Sequence, residues 1–192
     1  AKRWDAIDSV IEKQGPALAR DPTLLYWIAE AFMEQEKQDK ASEYAEQAFA
    51  LPKNAQQRLQ SGQRLAEQGQ FAWAEREYRE LISKTPAMTE ASLAARTYLA
   101  ALLQDDERFY CAAQLLDDLF NQIKQDKDAK QMLKDFDILF NHYRARRDYY
   151  HACHAKKENR WQAYKEHLDR AIQYDPTDID VLIAMYQLPN VD

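Results

Sequence analysis

Glycine is scarce in this chain: three occur in 192 residues, beside six prolines and two cysteines. So few glycines leave little material for a phosphate-cradling loop, and no Gly-rich phosphate motif or GxSxG elbow is present. The cysteines, Cys111 and Cys153, are too few and too distant in sequence for a disulfide framework. No apolar run approaches the roughly 20 residues that cross a bilayer, and no signal-like apolar segment occurs, so a soluble protein is expected, with the cytoplasm favoured. Basic charge is also short. Twenty-six Lys and Arg against 32 Asp and Glu give a formal net charge of -6, which speaks against a general nucleic-acid or acidic-membrane binder.

What is abundant points one way. The chain is 46% hydrophobic and 30% charged, enough to bury a core in one or two domains. Ala, Leu, Gln, Glu, Lys and Arg dominate, the residues that lose least on entering a helix. The fold class is therefore all-α. The chain opens without Met on "AKRWDAIDSVIEK", already amphipathic, and reads as a piece of a longer protein.

Self-similarity sets the organisation. "DKASEYAEQAFALP" (39–52) lines up with "AWAEREYRELISKTP" (72–86), placing Ala41 on Ala74, Ala45 on Tyr78 and Ala48 on Leu81, 33 residues apart. Upstream of the first, Leu25, Ile28, Ala29 and Phe32 recur at i, i+3, i+4 and i+7, one buried helix face. Upstream of the second, Gly62 and Leu65 hold the places of Ala29 and Phe32, and Gly69 suits a helix end. The period is that of a two-helix unit.

On these residues the chain resembles the tetratricopeptide repeat family, through Gly62, Leu65, Gly69, Phe71, Ala74, Tyr78 and Pro86 in one unit and Leu25, Ile28, Ala29, Phe32, Ala41, Ala48 and Pro52 in another. A degenerate third unit runs through Leu99, Ala100, Leu103, Phe109, Ala112, Leu116 and Leu119, and a last one through Trp161, Leu168, Ala171 and Pro176. The resemblance implies a right-handed superhelical solenoid of antiparallel helix pairs. The expected single domain of 1–192 divides into a partial unit or capping helix (1–20), units at 21–53, 54–87, 88–126 and 127–176, and a closing helix (177–192). Two departures stand out. The stretch 128–158 has no Gly or Pro and carries Met132, Phe136, Leu139, Phe140, Tyr143 and Tyr150 on one stripe, which predicts one long helix. "PTDIDVLIAMYQLP" predicts an apolar closing helix with Thr177 as its N-cap.

The long helix carries "DYYHACHAKKENRW", with His151, Cys153 and His154 in one turn. Cys153 lies about 200° around a helix from His151, and a structural zinc site needs four ligands. No carboxylate-flanked HExxH spacing supports a metal, and adjacent carboxylates such as Asp105 with Asp106 read as solvated faces. Packing histidines, no cofactor and no catalysis are expected.

A solenoid offers a face lined by the first helix of each unit, where peptides bind. By the resemblance its residues include Tyr26, Glu30, Met33, Gln63, Thr97, Ala101, Gln104, Tyr149, Cys153 and Lys156, with a basic cluster of Arg144, Arg146, Arg147, Lys156 and Lys157 near Tyr149. Some family members clamp a C-terminal carboxylate with Lys, Asn and Arg at these places; here they read Tyr26, Glu30, Leu59 and Gln63, so that clamp is not expected. Tyr, Met and Arg are enriched where binding energy concentrates, and the candidates are Tyr26, Glu30, Met33, Gln63, Gln104, Arg146, Tyr149 and Lys156. The expected function is a non-enzymatic interaction module holding a protein or peptide segment, with acidic residues favoured at its basic end. The alternative is the helical scaffold domain of a larger multidomain enzyme or of a secretion or assembly apparatus.

Overall fold

A computed structural model describes residues 11, 20–135 and 137–188, without the side chains of 132–139. Among the described residues there are ten helices and no strand: α1 (Pro22–Met33), α2 (Gln38–Ala50), α3 (Ala55–Glu67), α4 (Phe71–Lys84), α5 (Glu90–Asp105), α6 (Phe109–Gln125), α7 (Lys127–Asp135), α8 (Asp137–Lys157), α9 (Trp161–Tyr174) and α10 (Ile179–Tyr186). The expected long helix is thus seen as α7 and α8. Position 136 lies outside the described residues, as do the side chains of Met132 and Leu139. So does the capping helix expected over 1–20, apart from Ile11 and Arg20. No described helix is long and apolar enough to cross a membrane.

One turn recurs four times. Glu36, Gly69, Glu107 and Asn159 all adopt positive φ, between 52° and 77°, directly after α1, α3, α5 and α8. In each case the next N–H reaches back five residues, from Lys37 to Phe32 O, Gln70 to Leu65 O, Arg108 to Leu103 O and Arg160 to Ala155 O, at 2.7–2.9 Å. This is the left-handed C-terminal cap, which satisfies carbonyls that a helix end leaves unpaired. Only Gly69 takes that backbone without steric cost. Helix starts use different side chains: Asp21 accepts from the amides of Thr23 and Leu24, Asn54 forms a reciprocal box with Gln57, and Thr89 accepts from Ser92.

The chain forms two compact units, Ala1–Leu81 and Ile82–Asp192. In the first, α1 packs on α2 through Ile28, Phe32 and Ala41, and Phe32 stacks on Tyr44 with centroids 5.5 Å apart. Gly62 lets α3 approach α4: a Cβ there would fall 2.4 Å from the ring of Tyr78, itself 1% exposed. Glu77, fully buried on α4, is held by Lys53 and Arg58, each at 2.6 Å, and by the hydroxyl of Tyr26 at 2.6 Å. Lys53 also donates to Ala48 O at the end of α2, so one carboxylate links α1, the α2–α3 connection, α3 and α4.

In the second unit the helices pack consecutively, α5 on α6 and α8 on α9, with α6 also against α8 and α10 against α9. Small residues let α8, α9 and α10 meet closely: Ala152, Ala155, Ala171 and Ala184 share a core with Tyr164, Leu168 and Val181. The N-cap of α10 is Asp178, whose carboxylate accepts from the amides of Asp180 and Val181. This corrects the expectation of Thr177, whose hydroxyl instead donates to Asp175 Oδ1 at 2.7 Å and is drawn away from the helix end.

Candidate functional site

The candidate binding residues part company in the structure. In the first unit Tyr26 is buried, its hydroxyl donating to Glu77, and burial followed by the Glu77 charge drives its pKa well up. It serves the core rather than a solvent-facing surface. Met33 is exposed, while Glu30 and Gln63 are half-buried.

In the second unit Gln104 on α5 and Arg146 on α8 come together: the guanidinium donates to Gln104 Oε1 at 2.5 Å. The same guanidinium donates to Asp180 at 2.8 Å, to both oxygens of Asp178 at 3.3 Å and to the hydroxyl of Tyr150 at 3.3 Å. Burial opposes its charge, but Tyr150, Asp180 and Asp178 outweigh that and hold it protonated. It also lies 4.8 Å from the ring of Tyr149 and 5.0 Å from that of Tyr150. Arg146 is therefore a strut joining α5, α8 and α10. Tyr149 is half-buried against the α8–α10 core, with its hydroxyl pKa raised by burial and by Cys153; Lys156 is exposed, 5.5 Å from the ring of Tyr164.

A cavity of about 140 Å³ opens beside this strut, lined by Thr97, Ala100, Ala101 and Gln104 of α5, Leu116 of α6, and His142, Tyr143, Arg146 and Tyr150 of α8. Its apolar floor is Ala100 and Leu116 with the two tyrosine rings. The Thr97 and Tyr143 hydroxyls are hydrogen-bonded to each other at 3.1 Å. Sequence reasoning placed Thr97, Ala101 and Gln104 on one face and Tyr143 and Tyr150 on one stripe. It missed His142 and the role of Asp178 and Asp180, because ion pairs spanning 32 and 34 residues leave no local pattern.

The histidine cluster disperses. His151 pairs with Asp117 of α6 at 2.9 Å and stacks on His167 of α9, rather than entering the apolar core. His154 leans on Tyr110, and Cys153, its thiol pKa raised by burial, lies beside Tyr149. A different trio, His142, Asp175 and Asp178, has ligand atoms within 4.8 Å of one another. Asp178 is already committed to Arg146 and two cap amides, and Asp175 to Thr177 and His142, so both carboxylates already have donors. The trio reads as a polar brace.

No family model matches the chain, and no curated protein is detectably similar to it in sequence.

Proposed function

We propose that this chain is a helical-repeat interaction module of tetratricopeptide type, non-enzymatic, that holds a protein or peptide segment along the α5–α8 face of its second unit. The observation that carries the reading is the α5–α8 cavity, concave and largely apolar with a few convergent polar groups, the character expected of a binding site. Gln104 offers an amide on the cavity wall that Arg146 positions, while Tyr149, 4.8 Å from the Arg146 guanidinium, and exposed Lys156 lie further along α8 and extend the face beyond the cavity. The four repeated turns support a serial arrangement of helix pairs.

Panning a random displayed peptide library against the purified chain tests this. The same peptides enriched on wild type are expected to be lost on a Tyr149→Ala, Lys156→Glu variant that retains its helical circular dichroism. No enrichment, or equal enrichment on a folded variant, would overturn the reading.

The second reading, a scaffold domain within a larger assembly, draws on α10. Ile179, Leu182, Ile183 and Tyr186 lie at i, i+3, i+4 and i+7 and are 45–92% exposed. An apolar face at helical spacing is ordinarily covered by another helix.

A further inference from the structure

We infer that the α5–α8 cavity is an anchor pocket for a single aromatic side chain, a Phe or Tyr of the bound segment. The inference rests on the interaction reading above and adds the chemistry of the residue it selects.

Size comes first. At about 140 Å³ the cavity matches the ~150 Å³ apolar cavities that hold one benzene ring. Its walls are carbon over most of their extent, from Ala100, Ala101, Leu116 and the rings of Tyr143 and Tyr150. Charge narrows the choice. A Lys or Arg guest would meet the Arg146 guanidinium, and a carboxylate guest would compete with Asp178 and Asp180, which already hold it at 3.3 and 2.8 Å. A neutral guest remains.

Among neutral guests, a ring can pair edge-to-face with the Tyr143 and Tyr150 rings that line the cavity, a contact an aliphatic side chain lacks. Arg146 is fixed: Gln104, Tyr150, Asp178 and Asp180 hold it from α5, α8 and α10. At the rim, Gln104 uses its oxygen for Arg146, which leaves its amide hydrogens for a carbonyl of the segment.

The test is a methyl NMR titration of the full chain with N-acetyl-phenylalaninamide, N-acetyl-leucinamide and N-acetyl-lysinamide. The phenylalanine compound is expected to shift the Ala100, Ala101 and Leu116 methyls saturably, about threefold to fivefold more tightly than the leucine compound, a margin an aromatic pair supplies. The lysine compound is expected to leave them unmoved. Ala101→Trp, at an exposed helix position, should abolish the shifts. Equal or tighter leucine binding, or no shift with the phenylalanine compound, would overturn the pocket without needing the variant. Library peptides that lack an aromatic residue and still bind Ala101→Trp would overturn it too, and would leave the interaction reading standing.

Discussion

Asp148, 2% exposed, has Arg147, Arg170 and His167 within 2.8–3.1 Å of its carboxylate. Burial raises its pKa, but hydrogen bonds from His167, Arg147 and Arg170 outweigh it and hold the value at about 2, against an ordinary 3.8. A folded-state pKa below the unfolded one stabilises above pH 4 and loses that contribution as pH falls through 2. The amount is about 2 kcal/mol. Asp148→Asn should therefore narrow its stability deficit to wild type between pH 5 and pH 2 in urea titrations; a deficit constant across that range would contradict this. Arg96 is the opposite case. It is fully buried with Ser92 and Gln122 as hydrogen-bond partners, its Nε has none, and burial lowers its pKa. The nearby Asp118 charge offsets only part of the desolvation of this buried cation, so an apolar side chain of similar size should cost the fold little or stabilise it. Arg96→Met should raise or preserve the urea midpoint, and a clear drop would assign Arg96 a structural role. Neither residue could be singled out from sequence, since burial and charge partners across helices decide both. Tyr26 illustrates the same limit: an amphipathic side chain goes inward because Glu77, 51 residues on, accepts its hydroxyl.

At the scale of elements, much was legible. Periodicity located the apolar faces of α1 to α4, and Gly69 marked its turn because only glycine takes positive φ freely. Glu36 and Glu107 hide the same turn behind residues that pay for it in sterics; the third unit read as degenerate because it lacks a closing proline and breaks the period. Glu36→Gly should stabilise the chain by about 0.5–1 kcal/mol and Gly69→Ala should destabilise it by about 1 kcal/mol, both read from thermal unfolding. Opposite signs at equivalent positions are the signature of a shared turn. Equal effects would mean that the turns differ in kind. The α10 cap was misread because Thr177 and Asp178 are both good caps, and only the competing bond to Asp175 separates them.

For the whole molecule, the two compact units differ in what they offer. The first carries a sealed polar core around Glu77, and the second carries the α5–α8 cavity with Lys156 exposed beyond it. The sequence named Gln104, Tyr149 and Lys156 together because a repeat register puts corresponding positions on one face, and added Arg146 as a member of the basic cluster beside Tyr149. It could not show that Arg146 is held by α10, which changes that residue from a contact to a support. The most direct measurement is hydrogen exchange by mass spectrometry on the full chain, with and without a peptide selected from the library. Slowed exchange in α5 around Thr97 to Gln104 and in α8 around His142 to Lys156 is the predicted result; slowing confined to the first unit or to α10 would contradict the account.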